Sequence, residues 1–150
     1  IASLPHVKLK VTQQASQERA NELLQYYEDL NIAHNIQPFF ERINDEYNEA
    51  TIIISRSGAS TLSEIITTGL PSILIPLPSS AHNHQKLQAE HLAQQKAAIC
   101  VLQDTNIVDN LSRQISLLIE DRNLLLEYHS NIMKLRIDGR KNLANLLLEH

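Results

Sequence analysis

The chain has 150 residues, 43% of them hydrophobic and 20% charged, with a formal net charge of −4. That composition fits one globular domain or half of a larger two-domain enzyme, and it excludes a nucleic-acid surface and a polybasic membrane anchor. No apolar stretch approaches the roughly 20 residues needed to span a bilayer.

Aromatic residues make up only 4% and Trp is absent, so aliphatic packing must carry the core. A single cysteine excludes an internal disulfide and fits a reducing compartment. Cys100 lies in the apolar run 97–102 and reads as a buried core thiol rather than a nucleophile. The first residues, Ile1-Ala2-Ser3-Leu4-Pro5, carry no initiator Met and no signal peptide, and are expected to be the tail of a cut sequence. Residues 148–150, Leu-Glu-His, read as the start of an expression tag, which leaves 1–147 as one domain.

In chain order, residues 7–11 alternate apolar side chains with Lys8 and Lys10 and predict a short strand. Ala20, Leu23, Leu24 and Tyr27 recur at helical spacing, so 16–30 is an amphipathic helix. A second strand is expected at 36–39, a short helix at 44–49, and a fully apolar third strand at 51–54. The helix 60–68 should stop at Gly69, with Pro71 blocking its continuation. A fourth strand follows at 72–75, a helix at 82–95, and a fifth strand at 98–102. Three helical segments complete the chain, at 107–120, 123–135 and 139–148. Strands alternating with helices at these spacings imply an α/β fold, a parallel sheet with flanking helices built from right-handed βαβ units. Open sheets of this kind bind ligands at the carboxyl ends of their strands. The loops expected there are 37–42, 55–61 and 76–85.

The most informative stretch is Ile54-Ser55-Arg56-Ser57-Gly58-Ala59-Ser60-Thr61-Leu62-Ser63-Glu64. An apolar strand runs into a small-residue turn and then into a helix bearing hydroxyls. The free amides of a first helical turn and the helix dipole favour an anion such as phosphate. Gly58 allows close backbone approach, and the hydroxyls add donors.

This segment, together with Gly69-Leu70-Pro71, Ile75-Pro76-Leu77-Pro78 and Asn83-His84-Gln85, resembles the C-terminal, donor-binding half of the MurG family of GT-B glycosyltransferases. Val11-Thr12-Gln13-Gln14 and Pro38-Phe39-Phe40 extend the resemblance over about residues 4–145. It implies a Rossmann-like domain and an inverting transfer of N-acetylglucosamine from UDP-N-acetylglucosamine to lipid I in peptidoglycan synthesis, without a cofactor or metal. It further implies a place at the cytoplasmic face of the bacterial plasma membrane and a part in cell division and cell shape.

Carried over by position, the resemblance gives Phe40 a backbone contact to the uracil. Ala59, Ser60, Thr61, Leu62 and Ser63 would meet the diphosphate and adjoining ribose, with Arg56, Ser57, Gly58 and His84 around them. Glu64 would accept from the ribose hydroxyls and Gln85 would hold the sugar hydroxyls. The chain departs from the family pattern at Gln88-Ala89 and at His82-Asn83. It also has no counterpart of the Gly-rich loop that opens the family's C-terminal half. The acceptor site and catalytic base belong to the N-terminal half, so no catalytic residue is expected here, and the chain alone should be inactive. Lipid I and the membrane would be reached only through the intact protein.

Several residues carry a second reading. Thr61-Leu62-Ser63-Glu64 also matches a capping box, with Glu64 bonded back to the Thr61 amide. Arg56 can pair with a phosphate or be anchored by a carboxylate. His82, His84 and His91 lack the spacing and the partners of a zinc site. Gln13 and Gln14 can be merely solvated or can line the cleft. Leu143, Leu146 and Leu147 form an apolar face expected to fold back, self-associate or fray. Other functions remain open at this point: a different UDP-sugar transferase of the same fold, or a non-catalytic piece that binds a partner through its last helix.

Overall fold

The computed structural model describes residues 7–80 and 83–148, with side chains as far as Gly139. The chain forms two compact units that divide between Glu49 and Ala50.

In the first unit, β1 (Lys10–Gln14), α1 (Gln17–Asp29), β2 (Ala33–Gln37) and α2 (Ile43–Glu49) follow in order. The two strands pair in parallel from Lys10↔Ala33 to Gln14↔Gln37. Both lie about three residues from the positions expected. Pro38 has no N–H to give a ladder, so β2 ends before it rather than running through it. Backbone pairing then carries β1 past its apolar alternation into Thr12, Gln13 and Gln14. Asn31, at φ 52°, turns the chain out of α1, a left-handed position that Asn tolerates. The Tyr27 ring stacks on His34 with centroids 5.7 Å apart, and its hydroxyl donates to Gln13 Oε1 at 2.7 Å.

The second unit holds β3 (Ile53–Ser55), α3 (Ala59–Thr68), β4 (Ser72–Leu74), α4 (His84–Gln94), β5 (Ile99–Cys100), α5 (Ile107–Glu120) and α6 (Arg122–Leu148). Its strands lie in the order β3-β4-β5, all parallel. The expected parallel pairing and flanking helices are therefore present, with the strands hydrogen-bonded as two sheets where the alternation suggested one. Ile73, Ile99, Val101, Ile115 and Leu118 form the buried centre of this unit. Leu62 and Ile65 of α3 and Ile132 of α6 are buried as well. These are aliphatic side chains, as the shortage of aromatics requires.

Two helix ends show how local chemistry sets this unit. Gly69 takes φ 74°, its amide donates to Ile65 O at 2.9 Å, and its carbonyl accepts from His129 Nδ1 at 2.7 Å. A carbonyl only accepts, so the His129 proton sits on Nδ1. Asp121 closes α5 and caps α6, its Oδ1 accepting from the amides of Asn123 and Leu124 at 2.9 and 3.1 Å. Capping of this kind is worth about 1 kcal/mol.

The two segments expected at 123–135 and 139–148 are one helix, α6. Gly139 lacks the left-handed backbone that ends α3, so it stays a weak helical residue, costing about 1 kcal/mol against Ala, and does not stop the helix. The face of Leu143, Leu146 and Leu147 lies outside the described side chains, as residues 149 and 150 lie outside the described chain. Cys100 is half-buried, not fully buried: along β5 it faces away from the core that takes Ile99 and Val101. Burial still pushes its thiol up from the ordinary value, with Glu90 adding to the effect.

Two outcomes follow from these observations. Gly69→Ala places a Cβ 2.7 Å from Met133 Sδ and forces Ala into a left-handed conformation. It should cost about 1–2 kcal/mol in chemical denaturation, chiefly from the backbone, because Met133 can shift. Cys100, its thiol pushed up by burial, should react more slowly with a thiol reagent at pH 7 than a free cysteine does, with its rate midpoint at a higher pH than that of the free thiol.

Candidate functional site

The β3–α3 loop is organised around the start of α3. Gly58 is the residue before the helix, extended at φ −70° and ψ 152°, and its carbonyl accepts the Leu62 amide at 2.9 Å. Helix geometry then leaves the Ala59, Ser60 and Thr61 amides without acceptors within the helix. No atom lies within 4 Å of where a Gly58 Cβ would sit, so the approach to these amides is open. Ser60 and Ser63 are exposed and Thr61 is half-buried, which makes their hydroxyls accessible. Leu62 differs from its neighbours: its side chain is buried and its amide is already used.

Because α3 starts at Ala59, Thr61 is its third residue and cannot be the cap of a Thr61–Glu64 box. The capping-box frame is thereby corrected. The cap position belongs to Gly58, which has no side chain to report it. Glu64 is exposed and lies one turn beyond Ser60 on the same face of the helix.

Two ties lock this loop to its neighbours within the second unit. The buried Ser57 donates its hydroxyl to Gln85 O at 2.8 Å, joining the loop to the start of α4. Gln85 in turn accepts the Leu77 amide on Oε1 at 3.0 Å. That contact fixes the orientation of the amide group and leaves Nε2 as its donor side. Arg56 donates to Ile75 O at 3.2 Å and to Gln103 Oε1 at 2.8 Å. A carbonyl and a carboxamide thus anchor it, where one reading expected a carboxylate. The loop 55–61 thus meets Ile75 and Gln85 at the carboxyl ends of β3 and β4. Gln103 and the Ser57–Gln85 tie escaped the sequence reading, since a glutamine after a strand and a small buried hydroxyl carry no distinctive pattern.

His84 is the exposed first residue of α4, entered through Asn83 at φ 57°. His82 lies outside the described residues. His91 accepts from Gln95 on Nε2 at 2.8 Å. Among the described residues, no three His, Cys, Asp or Glu side chains cluster as metal ligands.

Phe40 belongs to the first unit. Its side chain is buried, so the group it can present is its backbone. It lines a recess of about 320 Å³ with Phe39, Arg42 and Glu46. Gln14 donates to Pro38 O at 3.0 Å, and Gln13 is held by Tyr27, so both are braced rather than merely solvated. They also line an open recess of about 690 Å³ with Ser16, Arg19, Glu22 and Tyr26.

The two seryl hydroxyls of the loop should separate on substitution. Ser57→Ala removes the hydroxyl that ties the β3–α3 loop to Gln85 O and should lower stability by about 1 kcal/mol, measured by urea unfolding. Ser60→Ala, at an exposed position, should leave stability unchanged.

Comparison with known proteins agrees with this geometry. The chain is 38% identical over 145 residues to the UDP-N-acetylglucosamine--N-acetylmuramyl-(pentapeptide) pyrophosphoryl-undecaprenol N-acetylglucosamine transferase of Rickettsia bellii, covering 97% of this chain and 41% of that protein. The Rickettsia typhi protein of the same name is 40% identical over 143 residues, covering 95% and 37%. The chain therefore spans about two fifths of the length of these relatives. The crystal structure of Acinetobacter baumannii MurG superposes with a TM-score of 0.77 at 30% identity, over 86% of this chain and 38% of that one. Residues 2–144 match the family model of the glycosyltransferase family 28 C-terminal domain, and the chain belongs to that family.

Proposed function

We propose that residues 1–147 form the donor-binding part of an inverting glycosyltransferase that moves N-acetylglucosamine from UDP-N-acetylglucosamine to lipid I. The observation that carries this reading is the open start of α3, where the Ala59, Ser60 and Thr61 amides have no acceptor within the helix and exposed Ser60 shares a face with exposed Glu64.

In the complete reaction, the acceptor hydroxyl attacks the anomeric carbon as the bond to UDP breaks, with inversion at that carbon. The acceptor proton passes to a base supplied from outside this chain. The leaving diphosphate gains negative charge, which the amides of Ala59, Ser60 and Thr61 stabilise together with the dipole of α3. Glu64 suits a ribose diol, because a carboxylate accepts from two hydroxyls at once. Gln85, its Oε1 already engaged by Leu77, offers Nε2 to a sugar oxygen. Phe40 contributes its backbone to the uracil, a role resting on the family resemblance. The complete enzyme acts at the cytoplasmic face of the plasma membrane as a peripheral protein, in peptidoglycan synthesis and hence in cell division and shape. Among the described residues, no helix is long and apolar enough to cross a membrane.

Titration of the chain with UDP-N-acetylglucosamine, UDP and UDP-glucose, followed by calorimetry and amide NMR shifts, tests this proposal. Saturable binding that prefers the N-acetylglucosamine donor, with shifts at 58–64 and at Gln85, is the expected outcome, with no turnover by this chain alone. Glu64→Ala and Gln85→Ala should each weaken donor binding by about tenfold, the worth of a charge-assisted or well-oriented hydrogen bond. Unchanged affinity in both variants would sink the assignment.

A further inference from the structure

Gln103 lies three residues past the end of β5 and belongs to none of the motifs that carry the family resemblance. Its Oε1 accepts from Arg56 Nη1 at 2.8 Å, while the same nitrogen reaches Ile75 O at 3.2 Å. The backbone ladder stops just before this point. Its last contacts are Ile75 N to Ser55 O at 2.8 Å and Val101 N to Leu74 O at 2.9 Å. Beyond them the Arg56 guanidinium spans the ends of all three strands of this unit, two residues before Gly58.

The chemistry of the strap is informative. Both acceptors are neutral, a carbonyl and a carboxamide, and no carboxylate pairs with Arg56 among the described residues. The side chain is fixed in place while its full charge is kept. A carboxylate at position 103 would hold the guanidinium more tightly and cancel that charge. On an arm that leaves the chain two residues before Gly58 and the start of α3, an uncancelled cation favours an anion, and a diphosphate more than a monophosphate.

We infer that Gln103 is a positioning residue for the donor diphosphate: it holds Arg56 at the strand ends without neutralising it. The inference rests on the donor-binding function proposed above. It assigns a reason for glutamine, rather than glutamate, at position 103. Arg56 acts as a bound charge and Gln103 acts through it, so the two need not both touch the ligand.

The test compares UDP and UMP binding to the 150-residue chain as wild type, Gln103→Glu and Gln103→Leu, at several salt concentrations. Gln103→Glu keeps an acceptor for Arg56 and should preserve the thermal melt. It should weaken UDP binding by about tenfold, lower the UDP-to-UMP preference, and flatten the salt dependence. Gln103→Leu releases Arg56 but leaves its charge. It should weaken UDP binding by about threefold and keep the salt dependence. A structural role alone would move UDP and UMP together and would leave Gln103→Glu close to wild type. Wild-type UDP binding with both variants indistinguishable from it overturns this inference and leaves the function proposed above standing. Absence of UDP binding in the wild type removes both.

Discussion

The second unit depends on one constraint: β3, β4 and β5 are parallel and in a register that ends them together. Ser55 pairs with Leu74 and Leu74 with Cys100, so the chain leaves all three strands at one edge. Parallel pairing forces each return to cross over through a helix, and the helix that follows β3 presents its N-terminus at that same edge. The ties that shape it are polar or backbone: the Gly58 turn, the Ser57 and Gln85 ties, and the Arg56 strap. Burial of Ile73, Leu74, Ile65 and Leu118 supplies the stabilisation that allows so many polar groups to be held in fixed positions.

How the loop is built explains which of its residues should matter most. A site made of backbone amides is set by φ and ψ, which the helix and its packing dictate, and not by any one side chain. The hydroxyls of this loop therefore divide by what they touch. Ser57 is fully buried and joins two loops, so it acts on geometry. Ser60 and Ser63 are exposed and act, if at all, on a ligand. The exposed ion pairs elsewhere, Lys10–Glu49 at 2.6 Å and Lys96–Glu127 at 2.8 Å, raise the lysines and lower Glu49 without deciding the architecture. Solvent screens pairs of this kind.

Much of this was legible in the sequence, for reasons that can be traced to particular residues. The apolar run before Ser55 marked a strand, although β3 is covered on one face only, with Ile53 buried and Ile54 exposed, and Gly69 with Pro71 marked the end of α3. Both signals are local and act whatever surrounds them. The errors arose where local signals were weak or tertiary pairing overrode them. Lys8 and Lys10 suggested a strand that in fact pairs three residues later, because the partner ladder stops at Pro38. Gly139 looked like a helix end, yet a glycine stops a helix only when the chain turns left-handed there. The frame of α3 was misplaced because its cap is a glycine, which leaves no side-chain signature. Gln103 was invisible for a different reason: its partner is 47 residues away in sequence, and only the fold brings them together.

The division of labour between this chain and the rest of its longer relatives follows from the same chemistry. Displacing a diphosphate from an anomeric carbon needs charge stabilisation at the leaving group and proton removal at the attacking hydroxyl, on opposite sides of that carbon. Inversion keeps those two tasks apart in space. On the function proposed above, this edge would serve the first: its groups are donors, a helix dipole and an unneutralised guanidinium, all of which favour negative charge. They are poorly suited to the second, since a general base beside free amides and a fixed cation would be held deprotonated at the cost of its basicity. Under that proposal, a surface that holds a leaving diphosphate is best completed by a base carried on a separate structural element, away from these donors.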